Sequence, residues 1–232
     1  MIQNYVLPLL VVSQAALAAD LGEYHHPAPK DPKYLQKAQY EGFKKALVQP
    51  PAAGSDAQKK DEAILHDWQK KRTTADCERA KAEVKVSLDS FFGPKSGACL
   101  NEVQIAKWAA FFEEIRNDSD YFIQQLKKDF PRKRPFLYVE GIDPCVPKEV
   151  TGAYPSGHAA ISQVYSRILQ KLSRDKKSKA CFEKQAKQIA EDRVIVGMHH
   201  PTDIQAGRQL GDQLAEAFMA SSEFQKKLNA QK

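Results

Sequence analysis

The sequence predicts an all-α protein: a single-domain helical bundle whose helix ends and loops carry the functional side chains, preceded by an irregular N-terminal arm. Two observations support this fold class. Apolar residues recur at helical spacing along several long segments, and no segment shows the apolar–polar alternation that is typical of a half-buried strand. The 232 residues, 42% hydrophobic and 28% charged, are enough for one ordinary domain with a substantial core.

The first half of the chain contains the arm and two predicted helices. Residues 19–55 hold five prolines and predict the irregular arm, so the helical domain is assigned to 56–232. The charged stretch 58–88 predicts one helix, whose polar side chains are typical of a solvated face. Apolar residues that recur on one side predict a second, long helix over 101–128.

The second half alternates between a loop and further helices. The proline-rich stretch 131–151 predicts a loop, and a helix is expected from about Ser156, with another following it. The last helix is expected to begin near Pro201, since a first turn does not need the N–H that proline lacks. Gly207 and Gly211 lie on its apolar face and predict close contact with a neighbouring helix.

The first eighteen residues differ from the rest of the chain. Met1 to Ala18 carries no charge, is largely apolar and ends in the small-x-small pattern Ala16-Leu17-Ala18. This pattern predicts a signal peptide over 1–18, although its first residues lack the usual lysine or arginine. A short membrane anchor and a buried N-terminal helix are the alternatives. No later stretch is long and apolar enough to cross a bilayer.

Four cysteines fit an exported protein with two disulfides. None lies in a Cys-x-x-Cys pair, which disfavours zinc or redox chemistry. The sequence allows three connectivities, of which Cys77–Cys99 with Cys145–Cys181 is favoured because both bonds close modest loops. Four buried free thiols are the alternative.

The net charge of +6 and the isoelectric point near 9.0 suit an anionic partner. Lysine and arginine are interleaved with acidic residues rather than gathered in one run, which is typical of solvated helix faces. We therefore expect no nucleic-acid partner.

Three clusters in the second half carry residues that could act together. They are Lys127-x6-Arg134-Pro135, Pro155-Ser156-Gly157-His158 and Arg193-x5-His199-x3-Asp203. Each is ordinary when taken singly, since basic residues near a loop are usually solvated and a His–Asp pair is usually structural. Ten specified residues at compatible intervals form a specific signal.

These clusters resemble the signature of the phosphatidic acid phosphatase type 2 (PAP2) superfamily, which also includes the vanadium haloperoxidases. Within it they are similar to the bacterial class A non-specific acid phosphatases. The resemblance covers roughly 127–211, whereas residues 19–100 match less clearly. It implies a periplasmic or secreted enzyme that hydrolyses small soluble phosphate monoesters, with phosphate transfer to an alcohol as a second outcome. Such relatives are often homo-oligomers.

Five residues are expected to bind the phosphate. Lys127, Arg134 and Arg193 provide three cations, and the arginines can hold phosphate oxygens in pairs. Ser156 and Gly157 lie where a helix begins, so backbone N–H groups there can point at an anion. No metal or other cofactor is expected.

Three further residues are expected to carry the reaction. The family spacing selects His199 rather than its neighbour His200 as the nucleophile that forms a phosphohistidine. Asp203 would accept a hydrogen bond from the other ring nitrogen of His199 and fix its tautomer. His158 would protonate the leaving group and then activate water.

One residue departs from the family pattern. The third cluster usually opens with Ser-Arg, but here Asp192 precedes Arg193. A carboxylate that pointed into a phosphate site would repel the substrate. Asp192 is therefore expected to point outward or to pair with Arg193.

Four alternatives remain at this point. A haloperoxidase would hold vanadate in the same site, and a lipid phosphatase would usually have several membrane spans, which this chain lacks. A non-catalytic phosphate-binding protein could retain the pocket. A metal site at His199, His200 and Asp203 would leave the basic cluster unexplained.

Overall fold

The computed structural model describes residues 22–25 and 28–232, so the predicted signal peptide lies outside the described residues. Nine α-helices and one pair of two-residue strands form the regular structure of this part of the chain, which confirms the all-α prediction. The elements are β1 (Glu23–Tyr24), α1 (Tyr40–Ala46), α2 (Asp56–Lys71), α3 (Thr74–Ala82), α4 (Leu88–Phe92), α5 (Glu102–Asp129), β2 (Lys148–Glu149), α6 (Gly157–Leu172), α7 (Lys176–Ile195), α8 (Pro201–Ala220) and α9 (Ser222–Asn229). None of the described helices is both long and apolar enough for a bilayer span.

The long helices agree with the sequence, but the predicted single helix over 58–88 is wrong. It divides because the side chain of Thr73 accepts a hydrogen bond from the backbone N–H of Asp76, and the carboxylate of Asp76 accepts one from the backbone N–H of Thr73. This capping box begins α3 two residues after α2 ends. The helix predicted over 101–128 is confirmed as α5, which Asn101 caps at its N-terminus.

The N-terminal arm is attached to the bundle along its length. Tyr34, Leu35, Phe43 and Leu47 are buried in the main core, and α1 lies within the arm. The carboxylate of Asp118 on α5 accepts hydrogen bonds from the backbone N–H groups of residues 33–35. The described part of the arm is irregular apart from β1, α1 and a short 3₁₀ turn before α1, while its separation as a domain stays a prediction.

Helix α6 lies in the centre of the bundle and packs against α5, α7 and α8. A methyl group added at Gly207 of α8 would lie 2.5 Å from the backbone oxygen of Ser156, and one at Gly211 would lie 2.6 Å from that of Ala160. The expected close helix contact is therefore confirmed. It places the first turns of α6 and α8 side by side.

The two disulfides differ from the favoured pairing. They join Cys77 to Cys145 and Cys99 to Cys181, with Cα–Cα distances of 5.8 and 5.7 Å. The predicted pairing, favoured because it closes modest loops, was wrong because folding brings α3 and the 131–151 loop together. Spatial proximity rather than sequence separation decides which cysteines can bond. The first bond fixes α3 beside that loop.

Replacing Gly207 with alanine should destabilise the protein by about 1–3 kcal/mol, because the new methyl group meets backbone that cannot rotate away. Gly42 is a matched control: it also lies in a helix, but its added methyl group would meet nothing within 4 Å. The Gly42→Ala variant should unfold in urea like the wild type or slightly later. Equal stability of Gly207→Ala and the wild type would contradict the described helix contact.

Candidate active site

The structure brings all eight predicted site residues into one buried region. Two of its segments are directly joined, since the backbone N–H of Ser156 donates to the carbonyl of Asp203 over 3.1 Å. Helices α5 and α7 end in this region, and α6 and α8 begin there. The residues are Lys127, Arg134, Ser156, Gly157, His158, Arg193, His199 and Asp203.

The guanidinium of Arg134 lies against the imidazole of His199. Its Nη1 is 3.0 Å from Nε2 of His199 and also donates to the carbonyl of Met198 over 3.2 Å. Its Nε donates to the carbonyl of Thr151, and its Nη2 donates to the carboxylate of Glu149. Arg134 is almost fully buried, so these contacts fix the orientation of its cation.

The contact with Arg134 determines the tautomer of His199. A guanidinium can only donate, so Nε2 of His199 must present its lone pair and the proton lies on Nδ1. Nδ1 faces Oδ2 of Asp203 over 3.5 Å. Burial, together with the charges of Arg134 and Lys127, lowers the pKa of His199 to about 3. The imidazole is therefore neutral over most of the pH range, as a nucleophile must be.

The carboxylate of Asp203 serves more partners than the sequence indicates. Its Oδ2 is 2.8 Å from Nδ1 of His200, closer than to His199, and its Oδ1 accepts from Nη1 of Arg132 over 2.6 Å. Burial opposes ionisation, yet the contacts with His199 and His200 hold the pKa of Asp203 well below its usual range. Arg132 is in turn paired with the buried Asp61 of α2.

The neighbouring residue His200 is engaged on both sides of its ring. Its Nδ1 contacts Asp203, and its Nε2 is 2.8 Å from the hydroxyl of Tyr138. Of these two histidines, His199 is the one whose ring meets Arg134. The two adjacent rings therefore have different neighbours.

His158 has surroundings opposite in character to those of His199. Its Nε2 is 3.1 Å from the carbonyl oxygen of Glu83, and its Nδ1 is 3.6 Å from Oε1 of Glu149. Both oxygens are acceptors, so an imidazolium with two N–H donors satisfies both neighbours. This arrangement suits a group that must give a proton.

Arg193 is held by α3, which sequence analysis did not connect with the site. Its Nη2 donates to the carbonyl of Ala80 over 3.0 Å and to Oε2 of Glu83 over 3.3 Å. Burial raises the pKa of Glu83 to about 7, against the opposing effect of Arg193. No sequence signal pointed to Glu83, because its charged surroundings are typical of a solvated helix.

Lys127 lies in the last turn of α5 and donates from Nζ to the carbonyl of Gly152. Burial and the neighbouring charge of Arg134 lower the pKa of Lys127 to about 7. The charge of this lysine therefore depends on pH near neutrality, unlike that of the two arginines.

Ser156 and Gly157 begin α6 as the sequence predicts. The hydroxyl of Ser156 accepts from the backbone N–H of Ala159, and the first-turn N–H groups have no carbonyl of their own helix to bind. A methyl group added at Gly157 would be 3.7 Å from Ile123, an ordinary contact. Packing therefore does not require this glycine, and its predicted role in phosphate approach stays a prediction.

Both expectations for Asp192 were wrong. It is fully buried, and its carboxylate accepts from Nε and Nη2 of Arg79 over 2.8 and 2.6 Å. It neither points outward nor pairs with Arg193. The sequence could not show this, because Arg79 lies 113 residues away on α3. The charge of Asp192 is neutralised before it can repel an anion.

The described residues contain no group of three or more His, Cys, Asp or Glu side chains arranged to hold a metal ion. In the arrangement of His199, His200 and Asp203, both histidines present Nδ1 to one carboxylate oxygen. The contact of His200, at 2.8 Å, is a hydrogen bond, whereas that of His199 is longer, at 3.5 Å.

The chain is similar in sequence to known acid phosphatases, although no protein-family model matches it. It is 25% identical over 208 residues to the non-specific acid phosphatase of Providencia stuartii, covering 86% of this chain and 83% of the relative. It is 23% identical over 235 residues to that of Salmonella typhi, covering 97% and 88%. These relatives confirm the resemblance drawn from the three clusters.

Solved structures share the fold. A transmembrane PAP2-type phosphatidylglycerolphosphate phosphatase from Bacillus subtilis matches with a TM-score of 0.56 and 18% identity, over 82% of this chain and 94% of its own. A bacterial vanadium-dependent iodoperoxidase matches with the same TM-score and identity, over 85% of this chain and 60% of its own. These two likenesses show a shared fold.

Replacing Asp192 with asparagine should lower the free energy of unfolding by about 2 kcal/mol, because Arg79 loses one of its two carboxylate partners, the fully buried one, and keeps only Asp76. Glu191→Gln is the matched control on the same helix, since its ion pair with Lys187 is exposed and 3.7 Å long. Urea unfolding measures both. A wild-type stability for Asp192→Asn would show that the buried pair is not formed.

Proposed function

We propose that this protein is an exported acid phosphatase that hydrolyses small phosphate monoesters through a phosphohistidine on His199. The observation that carries the proposal is the 3.0 Å contact between Nε2 of His199 and Nη1 of Arg134. It sets a neutral nucleophile beside a cation that can bind phosphate oxygens. The similarity to non-specific acid phosphatases supports the same activity.

Phosphate binding uses the cations and the start of α6. Arg134, Arg193 and Lys127 offset the charge of the phosphate oxygens, and first-turn N–H groups near Gly157 donate to one of them. When phosphate arrives, Arg134 turns its donors from His199 to the substrate. The lone pair on Nε2 of His199 is then free to react.

The reaction proceeds in two displacements. Nε2 of His199 attacks phosphorus, the bond from phosphorus to the ester oxygen breaks, and His158 gives its proton to that oxygen. His158 then takes a proton from water, whose oxygen attacks the phosphohistidine and releases phosphate and neutral His199. An alcohol in place of water gives phosphate transfer. Asp203 stabilises the positive charge that His199 carries in the intermediate.

The charges of the site favour acidic solution. As the pH falls below about 7, Lys127 gains a proton and becomes cationic, and Glu83 gains a proton and becomes neutral. Both protonations make the site more positive and strengthen anion binding. His199 remains neutral down to about pH 3. The same residues thus provide binding charge and a competent nucleophile together only between these limits.

Export is supported by the two disulfides, which are typical of oxidising compartments. A periplasmic or secreted location also accords with the signal peptide predicted over 1–18. The reaction as described needs no metal, because Arg134 and Arg193 supply permanent positive charge.

The rate of p-nitrophenyl phosphate hydrolysis should follow a bell-shaped pH profile. We expect kcat/KM to fall below about pH 3, as His199 is protonated, and above about pH 7, as Lys127 loses its proton and Glu83 gains charge. Circular dichroism at each pH separates unfolding from titration. A profile that keeps rising above pH 7 would contradict the assignment of these charges.

Replacing His199 with alanine should reduce turnover by about 10³-fold or more and remove the acid-labile phosphoenzyme trapped by rapid quenching. His200→Ala is the comparison, since it removes the adjacent ring that contacts Tyr138 instead of Arg134. It should keep forming phosphoenzyme provided that it folds, which circular dichroism checks.

A chelator should leave wild-type activity unchanged. Full activity of His199→Ala, or loss of wild-type activity on chelation, would refute the mechanism.

A further inference from the structure

A buried carboxylate already contacts the groups that are proposed to bind and protonate the substrate. Glu149 is 7% exposed, and its Oε2 accepts a hydrogen bond from Nη2 of Arg134. Its Oε1 lies 3.6 Å from Nδ1 of His158. One carboxylate thus links the cation beside the nucleophile to the proposed general acid.

The two oxygens of Glu149 resemble two oxygens of a bound phosphate in charge and spacing. In Arg134, Nε donates to Thr151, Nη1 contacts Met198 and His199, and Nη2 donates to Glu149. An incoming phosphate can therefore bind this guanidinium fully only if Glu149 gives up its contact. A carboxylate and a phosphate cannot both accept the same Nη2 proton at full strength, and their charges repel.

The other charged and titratable groups near Glu149 do not take over its competition with phosphate for Arg134. Lys127 on α5 is close enough for its charge to be affected by Glu149, as is Tyr24 on β1. Arg134 and His158 contact the carboxylate directly. Lys127, Arg134 and His158 are the ones that a phosphate needs.

The backbone that carries Glu149 can move at small cost. Glu149 ends β2, a two-residue strand whose pairing partner is β1, another two-residue strand. The backbone N–H of Lys148 donates to the carbonyl of Gly22 over 3.0 Å. A ladder this short is marginal by itself, so the strand pairing adds little to holding the backbone of Glu149 in place.

We propose that Glu149 is an internal competitor of phosphate, an affinity-determining residue that the substrate must displace from Arg134 before His199 can react. The proposal rests on the proposed function, because it assumes that phosphate binds at this site. It extends that function by naming a residue that limits the affinity. No sequence pattern pointed to this residue, since position 149 lies in the stretch predicted to be a loop.

Titration calorimetry with inorganic phosphate at about pH 6, inside the predicted active range, tests the proposal. Glu149→Gln keeps the hydrogen bond to Arg134 but removes the charge, and Glu149→Ala removes both. Each variant should bind phosphate about tenfold tighter than the wild type or more, because binding no longer displaces a charged partner. Glu140→Gln is the matched control, an exposed glutamate in the same stretch that should leave affinity unchanged.

Turnover of p-nitrophenyl phosphate by the same proteins separates this proposal from the proposed function. Tighter phosphate binding without turnover in any of them would support the role of Glu149 and refute the phosphatase. Turnover by folded variants with wild-type or weaker phosphate affinity would refute the role of Glu149 and leave the phosphatase standing. If neither Glu149 variant bound phosphate, the proposal would be overturned, because removing the competing carboxylate would not have made the site available to phosphate.

Discussion

The contact between Arg134 and His199 is the constraint on which the rest of the site depends. Because a guanidinium cannot accept a hydrogen bond, it forces the lone pair of His199 onto Nε2 and the proton onto Nδ1, opposite Asp203. The ring of His158 lies between two oxygen acceptors. The proposed reaction requires opposite protonation of these two side chains, a neutral nucleophile at His199 and a protonated acid at His158.

Keeping these groups buried demands partners for their charges, and the first half of the chain supplies many of them. Asp61 on α2 pairs with Arg132, while Arg79 and Glu83, on and just after α3, pair with Asp192 and Arg193. Removing one member of a pair that is buried on both sides, such as Arg132–Asp61 or Arg193–Glu83, leaves an uncompensated buried charge, which costs about 3–5 kcal/mol. A segment outside the three sequence clusters therefore supports the site directly, and the disulfide from α3 to the 131–151 loop holds it there.

The sequence predicted the helices and the residues of the site for reasons that are local. Periodic apolar residues predict α5 and α8, and a motif such as Pro-Ser-Gly-His can be recognised without knowledge of the fold. The partners of Asp192 and Arg134, and the cysteine pairing, depend on residues distant in the chain that only packing brings together. Glu83 and Glu149 illustrate the limit, since a glutamate among charged or loop residues gives no sign that it will be buried.

The protonation states of His199 and His158 test the central claim most directly. In ¹⁵N-labelled protein at about pH 5, NMR of the imidazole nitrogens, assigned with His199→Ala and His158→Ala, reports each state separately. The account predicts a neutral His199 with its proton on Nδ1 and a doubly protonated His158. A protonated His199 at that pH, or a neutral ring carrying its proton on Nε2, would contradict it.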